Sequence, residues 1–368
     1  MKKTLVVALS LVVVLVFSIS IMVPVASQND LIRVRYGVSP FQDTLLPILG
    51  GEMGWYEEEG LDVEFVILGW TEVQEALAAG AVDVAINNET SVIATHENFD
   101  FVYWYGFNIF TEGAALMGRP EYKTADEFEA EGMTREEAIQ AAVEQLVGKS
   151  VVTTGNTDME QAVLSAATNA GLVANEDFDI IDLNPDEGLA AFIAGTGDFY
   201  LGGLAQRTRL AQEGMKAIVT GAELAPPPIN GIITTPEYAE ANEEVLVKLL
   251  HVWFRIVNYV EQNIEEGGQI ILDVLNEQTG ANMSIEEFIN FWQNIEHYPL
   301  NPDEIVRDIL DEDGFAYWRL RWDATNDYFV DVTGSLDEPV EPEGVFLMQA
   351  AHDAYLATYE DWWTEAEE

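Results

Sequence analysis

The chain has 368 residues, no cysteine, and 65 acidic against 16 basic side chains, which gives a formal net charge of −49. This charge would repel phosphate backbones and excludes nucleic acid as a partner, and the lack of cysteine excludes disulfides and thiolate chemistry. Hydrophobic residues make up 48% of the chain, so it can bury a core and is not disordered. Because the acidic residues are spread throughout, they predict a saline habitat in which counterions screen the repulsion.

The first 27 residues have the pattern of an export signal. Lys2 and Lys3 precede an almost wholly apolar run from Leu5 to Val23, and Val25-Ala26-Ser27 supplies small or short residues for a signal peptidase. We expect cleavage near Ser27, and an uncleaved N-terminal anchor is the alternative. The remaining chain is longer than one core usually requires, so two domains are expected.

Strands and helices alternate in the first part of the chain. Period-two apolar patterns predict the strands, and apolar helical patterns that end at glycine predict the helices. In chain order these are a strand at 32–36, a helix from 43 or 44 to 59, a strand at 61–68, a helix at 72–79, a strand at 82–86, a helix to about 98 and a strand at 101–105.

The alternation continues in the second part of the chain. It gives a strand at 113–117, a charged helical segment at 125–147, a strand at 150–152, a helix at 158–169, a strand at 178–183, a helix from 184 to 195, and strands at 199–201 and 216–220. Ala225-Pro226-Pro227-Pro228 is the clearest linker, a strand at 232–234 follows it, and the chain is mostly helical from Glu237 onward. Strands that alternate with helices predict an α/β fold with parallel sheets flanked by helices.

A short phrase occurs twice, as Ala76–Asp83 and as Ala191–Asp198. Each copy combines the end of a helix, a glycine and an aspartate that precedes a strand, so the repeat predicts two lobes of like design with a ligand-binding cleft between them. The loops that follow the two copies, Asn87-Asn88-Glu89 and Gly202-Gly203-Leu204, are then expected to face one another across the cleft.

Three helix-start patterns lie at the carboxyl ends of predicted strands. Thr71 with Gln74 and Thr157 with Glu160 form capping boxes, and Asn184 precedes a proline at the first helical position. A helix N-terminus can also bind a polar ligand group. Helix initiation is sufficient to explain Asn184, whereas for Thr71 and Thr157 both interpretations remain open.

Four segments, in this order, resemble a known family: Gly54–Val63, Ala76–Asp83, Gly148–Val151 and Gly171-Leu172. The family is the periplasmic solute-binding proteins of ABC importers, in the branch that includes nitrate, taurine and alkanesulfonate, and thiamine-pyrimidine precursor binders. The resemblance covers roughly residues 31–265. It implies an exported monomer without a cofactor that captures a small molecule by hinge closure and delivers it to the permease of an ABC importer.

The resemblance also implies a two-lobed type II periplasmic-binding fold, in which each lobe is a mostly parallel sheet flanked by helices. Residues 31–118 and 228–300 would form the first lobe and residues 119–227 the second, with two crossings between them near Gly118–Pro120 and Ala225–Pro228. Residues 301–368 would form a helical extension that packs on the first lobe.

In this family the ligand-binding loops follow the strands, which predicts a ligand site at the corresponding positions of this chain. The predicted site residues are Ser39, Phe41, Gln42, Asp43, Trp70, Thr71, Asn87, Asn88, Glu89, Thr154, Asn156, Thr157, Asp158, Gly202, Gly203 and Gln206.

The composition of these loops favours a heteroaromatic ligand, such as a pyrimidine vitamin precursor or a flavin-like molecule. Phe41 and Trp70 could stack on a flat ring, and Asp43, Glu89 and Asp158 could pair with amino groups. Rings in the strand at 101–105 could add to the stacking or belong to the core. A sulfonate or nitrate anion held by helix N-termini is the alternative, although the loops contain almost no basic side chain.

The sequence gives no sign of an enzyme. The four histidines lie far apart, without the i, i+4 pair of a helical metal site, and no G-x-S-x-G nucleophile motif occurs. No catalytic residue, metal site or cofactor is therefore predicted. A secreted halophilic hydrolase that uses an Asp/Glu pair in the same cleft is the less favoured alternative.

Overall fold

The computed structural model describes residues 31–112 and 114–359. The predicted export signal at 1–27 lies outside this part of the chain. The described strands are β1 Ile32–Val38, β2 Leu61–Ile67, β3 Val84–Asn88, β4 Val102–Ile109, β5 Ala115–Gly118, β6 Ser150–Thr153, β7 Asp179–Asp182, β8 Phe199–Gly202, β9 Lys216–Thr220 and β10 Ile229–Thr234.

The strands form two five-stranded sheets of the same plan, with the orders β2-β1-β3-β10-β4 and β7-β6-β8-β5-β9. In each sheet one strand, β10 or β5, is antiparallel to its neighbours, and the other four are parallel to one another. Each antiparallel strand is the first one that the chain forms after it leaves the other sheet. The predicted two-lobed α/β fold with mostly parallel sheets is confirmed.

The first crossing between the lobes differs from the prediction. The sequence places the segment before Gly118–Pro120 in the first lobe, but β5 pairs with β8 and β9 of the second sheet. The chain therefore crosses between β4 and β5, because both edges of β5 find their partners in the second lobe. The return crossing lies between β9 and β10, where the proline-rich segment Ala225–Pro228 is found.

Helices flank both sheets. The described α-helices are α1 Leu46–Glu52, α2 Trp55–Glu58, α3 Trp70–Ala78, α4 Glu89–Thr95, α5 Ala125–Ala130, α6 Arg135–Val143, α7 Asp158–Asn169, α8 Pro185–Ile193, α9 Leu204–Gln212, α10 Pro236–Ala241, α11 Glu243–Gln262, α12 Ile264–Thr279, α13 Ile285–Asn294, α14 Pro302–Ile305, α15 Trp318–Asp327 and α16 Met348–Thr358. Of the described helices, none is long and apolar enough to cross a membrane.

Several predicted helices begin or end differently. The predicted helix at 43–59 is two helices, because Gly54 adopts a left-handed conformation (φ 72°) that ends α1 and starts α2. The predicted capping box of Thr71 and Gln74 is wrong. The N-cap of α3 is Gly69, and the side chain of Gln74 donates to Trp70 O and Ser91 Oγ. Thr157 does cap α7.

Each lobe has its own hydrophobic core. In the first, the long helix α11 packs against the sheet, and the rings of Phe107 and Trp253 stack with centroids 3.7 Å apart. In the second, Val151, Phe199 and Leu201 form the centre of the core. These two cores hold the strand ends, and therefore the loops that follow them, in fixed positions.

The C-terminal segment packs on both lobes, whereas the sequence predicts that it packs on the first lobe alone. Ile305 and Tyr355 lie in the first core, whereas Trp322, Tyr328 and Phe329 lie in the second. The chain therefore passes between the lobes twice more after β10. The sequence does not predict these passages, because the contacts that define them join residues far apart in the chain and no motif marks those residues.

Candidate functional site

A cavity of about 30 Å³ lies where the carboxyl ends of strands from both sheets meet. Ligands of open α/β sheets bind at such strand ends, and the lobes must separate to admit a small molecule there. The cavity is lined by Phe41, Gln42, Asp43, Trp70, Phe110, Thr154, Thr157, Asp158, Met159, Pro185, Gly203, Leu204 and Asn230.

Eight of the sixteen predicted site residues line this cavity, namely Phe41, Gln42, Asp43, Trp70, Thr154, Thr157, Asp158 and Gly203. The other eight are not among its lining residues. Thr71 and Asn156 are exposed, Gly202 ends β8, and Gln206 lines an adjoining groove. Ser39, Asn87, Asn88 and Glu89 are buried in the protein.

Five lining residues are not among the sixteen predicted ones: Phe110, Met159, Pro185, Leu204 and Asn230. Leu204 belongs to a loop that was expected to face the cleft, and Met159 and Pro185 directly follow Asp158 and Asn184. Phe110 directly follows β4, which extends beyond the predicted strand end at 105. Asn230 lies within β10, where the strand register shifts between Asn230 and Gly231. A polar residue inside a buried, apolar strand was the available signal.

The aromatic side chains of the cavity join the two lobes. The rings of Phe41 and Trp70 meet edge to face at 5.7 Å. A Cβ atom added to Gly203, in the second lobe, would lie only 2.7 Å from the Phe41 ring, so the glycine lets the two lobes approach closely. Trp70 Nε1 is buried without a hydrogen-bond partner.

The rings of Tyr103-Trp104-Tyr105 belong to the core and do not line the cavity. Tyr103 stacks on Phe346 at 5.5 Å, and Tyr105 stacks on His352 at 6.2 Å while its hydroxyl lies 2.9 Å from His352 Nδ1. These rings are held by the C-terminal segment and take no part in the candidate site.

Asp43 is a buried carboxylate with neutral hydrogen-bond donors around it. It accepts hydrogen bonds from Asn230 Nδ2 at 2.5 Å and from Gln42 Nε2 at 3.3 Å. Burial raises the pKa of Asp43 to about 6, even though Asn230 and the backbone N–H groups of Asp43 and Thr44 oppose the rise. Asp158 also contributes to the raised pKa, so the two carboxylates interact across the cavity.

Glu296 is a second buried carboxyl group beside Asp43, and no motif in the sequence marks it. It accepts hydrogen bonds from Gln42 Nε2 at 2.9 Å, from Asn108 Nδ2 at 3.1 Å and from the hydroxyl of Tyr298. Burial and the nearby Asp43 raise the pKa of Glu296 well above its usual range. Gln42 therefore bridges two carboxylates through one amide nitrogen.

Glu89 and Asp158 share one buried guanidinium. Arg321 Nε lies 3.2 Å from Glu89 Oε1, and both side chains are almost completely buried. Burial raises the pKa of Glu89 to about 7 and also raises the pKa of Asp158, while Arg321 opposes both shifts. Glu89, a predicted partner of a ligand amino group, is therefore already paired with the protein.

Arg321 connects both lobes and the crossing between them. It donates to Pro226 O at 2.6 Å, to Thr90 Oγ1 at 3.0 Å and to Gln161 Oε1 at 2.7 Å. Thr90 belongs to α4 of the first lobe and Gln161 to α7 of the second. The C-terminal segment thus supplies a buried cation that the sequence did not predict.

The site contains four buried acidic side chains, and burial raises the pKa of each of them. Asp43, Glu89, Asp158 and Glu296 interact with one another, and Arg321 is the one cation in their hydrogen-bond and ion-pair network within the described chain. None of the thirteen lining residues is basic. Across the described residues, no three His, Asp or Glu side chains cluster so that they could hold a metal ion.

Comparisons with known proteins give one family match and many structural matches. A sequence model described as the NMT1-like family matches residues 28–271. No protein of curated function matches the sequence.

Solved structures share the fold at low identity. The periplasmic aliphatic sulphonate binding protein SsuA from Escherichia coli is 15% identical, with a TM-score of 0.60 over 85% of this chain and 91% of that chain. The periplasmic nitrate-binding protein NrtA from Synechocystis PCC 6803 is 14% identical, with a TM-score of 0.58 over 89% and 98%. A ligand-binding component of an ABC-type import system from Staphylococcus aureus with zinc bound is 11% identical, with a TM-score of 0.61 over 88% and 99%.

Proposed function

The chain belongs to the NMT1-like family and has the two-lobed fold of periplasmic binding proteins, and from this premise we propose that it is the extracytoplasmic solute-binding component of an ABC importer. It captures a small molecule between the lobes and delivers it to the permease. The observation that carries the proposal is the cavity at the strand ends of both sheets, lined by residues from each lobe.

The cavity supports a flat, partly polar ligand. Phe41, Trp70 and Phe110 offer aromatic surface, and Asp43 and Asn230 offer polar groups at one side. This combination of aromatic walls with a few placed polar groups is typical of small-molecule sites. A heteroaromatic nutrient such as a pyrimidine vitamin precursor or a flavin-like molecule is the proposed ligand.

A sulfonate-type or nitrate-type anion is the second candidate, and one observation favours it. Helix α9 begins at Leu204 in the cavity wall, and its N-cap Gly203 supplies no side-chain oxygen to the free N–H groups. Such an N-terminus can bind an anion. The carboxylates of Asp43 and Asp158 in the same wall oppose this candidate.

Thermal unfolding in high salt with a panel of pyrimidines, flavins, sulfonates, nitrate and amino compounds tests the proposal. We expect at least one compound to raise the unfolding temperature and to be recovered unchanged. Trp70→Ala should abolish this shift, while Thr71→Ala, at the exposed neighbouring position, should preserve it. Consumption of the compound would instead support the secreted hydrolase, and a panel without any shift would contradict solute binding.

The same purified protein allows the predicted monomeric state and export to be examined. Light scattering in high salt should give the mass of one chain. Expression of the full-length chain in a host that exports it, followed by mass spectrometry of the N-terminus, should show cleavage near Ser27. Retention of residues 1–27 at the membrane would support the uncleaved anchor.

A further inference from the structure

We propose that the ligand occupies this cleft as an organic cation, a planar molecule whose protonated nitrogen lies between Asp43 of the first lobe and Asp158 of the second. The inference rests on the proposed function, because it specifies the charge of the solute that the cleft accepts. It differs from the anions named for the sulfonate-binding and nitrate-binding structures of the same fold.

Two buried amide oxygens on the cavity wall need a hydrogen-bond donor. Gln42 Oε1 and Asn230 Oδ1 have no partner, and both residues line the cavity. Their amide orientation is fixed, since Gln42 Nε2 donates to Asp43 and Glu296 and Asn230 Nδ2 donates to Asp43 and Asn108. Exchanging oxygen and nitrogen would remove these bonds. The ligand must therefore supply N–H or O–H donors at this end of the cavity.

Two of the three backbone positions that could bind an anion already face the protein's own carboxylates, and the N-terminus of α9 is the third. Asp158 is the first residue of α7, where the backbone N–H groups of Asp158 and Met159 favour the ionised form of its carboxyl and the Met159 N–H donates to Thr157 Oγ1. The N–H groups of Asp43 and Thr44 favour the ionised form of the Asp43 carboxyl in the same way. An anionic ligand would have to displace these internal anions or lie against them.

One carboxylate of the cavity wall has no counter-charge. Arg321 faces Glu89 and Asp158, and Glu296 keeps its proton because burial raises its pKa well above the usual range, but Asp43 is ionised at pH 7.5 and contacts only neutral donors. A buried carboxylate without a counter-charge is unfavourable in a medium of low polarity. A protonated nitrogen between Asp43 and Asp158 would complete the pairing and would also connect the two lobes. Phe41, Trp70 and Phe110 would then contact the flat face of the same molecule.

Three probes with the same ring and nearly the same shape separate charge from fit: benzamidinium, benzamide and benzoate. Their affinities are measured by titration calorimetry on the whole protein at constant high salt and pH 7.5. We expect benzamidinium to bind at least tenfold more tightly than benzamide, and benzoate to bind more weakly than both. Equal affinity of benzamidinium and benzamide, or tighter binding of benzoate, would overturn the proposal.

Isosteric variants assign the effect to the two carboxylates. Asp43→Asn and Asp158→Asn should each reduce the ratio of benzamidinium affinity to benzamide affinity about tenfold. Asp308→Asn is the matched control, since Asp308 is also buried but pairs with His297 and Arg307 outside the cavity. Unchanged preference in both cleft variants would contradict the assignment, and the wild-type probe series decides the ligand charge even if a variant does not fold.

The outcomes also separate this inference from the proposed function. If benzoate binds and Trp70→Ala abolishes its binding, the cleft is a solute site and only the cation inference fails. If none of the three probes binds, the cation inference fails as well, while the nutrient panel alone decides whether the protein binds a solute.

Discussion

Arg321 in the C-terminal segment lies 3.2 Å from Glu89 at the end of β3, and both side chains are buried at the junction of the two lobes. The same guanidinium holds the carbonyl oxygen of Pro226 in the return crossing. A segment that follows both sheets in sequence therefore provides a central electrostatic contact of the molecule. Glu89 is consequently bound to the protein itself and is not available to a ligand amino group.

Removal of this guanidinium should be strongly destabilising. Arg321→Met keeps the volume of the side chain but leaves Glu89 and Asp158 as buried charges without a partner, which costs about 3–5 kcal/mol of unfolding free energy. Denaturation in urea at constant high salt measures the change.

Arg319→Met is the matched control for Arg321→Met. Arg319 lies in the same helix, is 42% exposed and pairs with Asp323, so its loss should change stability by less than about 1 kcal/mol. Similar small effects in the two variants would show that the buried ion pair does not support the fold. Glu89→Gln added to Arg321→Met should restore part of the loss, because it removes one unpaired charge.

Asp43 should give the ligand-free protein a specific pH dependence. Its pKa in the folded state is raised to about 6 from an ordinary value near 4. The folded state therefore binds a proton more strongly than the unfolded state, so this group stabilises the fold below pH 4 and loses that contribution as the pH rises through 6.

The variant Asp43→Asn isolates this contribution, because its side chain does not titrate. We expect the stability of Asp43→Asn relative to the wild type to increase between pH 4 and pH 6 and to stay constant above that. Chemical denaturation at half-unit pH steps measures it. A difference between the two proteins that is independent of pH would contradict a raised pKa at Asp43.

Gly203 should be required for the close approach of the lobes. Its φ of −69° suits any residue, so backbone strain does not restrict the position. The methyl group of Gly203→Ala would meet the Phe41 ring, and we expect benzamidinium or the panel ligand to bind about tenfold more weakly. Calorimetry in a Phe41→Leu background should show that Gly203→Ala reduces the ligand affinity by a smaller factor than it does in the wild type. An equal reduction of affinity in both backgrounds would show that the effect does not come from contact with Phe41.

The C-terminal segment should stabilise the second lobe as well as the first. Trp322 is 1% exposed, lies in the second core and donates to Val340 O at 2.9 Å. Trp322→Ala should therefore cost about 3–5 kcal/mol and increase hydrogen exchange in β6 and β8. Leu320→Ala, at a side chain that is 60% exposed, should have little effect. Faster exchange confined to β1 and β3 would contradict packing on the second lobe.

The sequence predicts the local structure well because the signals for it are local. Strand and helix alternation, glycine helix ends and the family segments gave the two-lobed fold, and β9 has the bounds that the pattern predicts. The membership of β5 could not be predicted in this way, since its pairing depends on strands about eighty residues and more further along the chain.

The candidate site was predicted where it consists of loops after strands, and missed where it depends on distant contacts. Phe41, Trp70 and Asp158 follow strand ends and were expected. Glu296 reaches the site from the loop after α13 and Arg321 from α15, and nothing in their local sequence marks them as site residues. The capping pattern at Thr71 predicted the wrong helix start, because Gly69 is the N-cap of α3 and the helix begins with the buried Trp70.

The shared plan of the two sheets has a consequence for folding during synthesis. All strands of the second sheet lie between 115 and 220, whereas the first sheet needs β10, which follows the entire second lobe. Domains emerge and fold from the N-terminus onward, so β3 and β4 are complete long before the strand that joins them exists. Until then both present open edges on which strands of other copies could pair. The net charge of −49 opposes such pairing between copies, and added salt weakens this opposition by screening the charges.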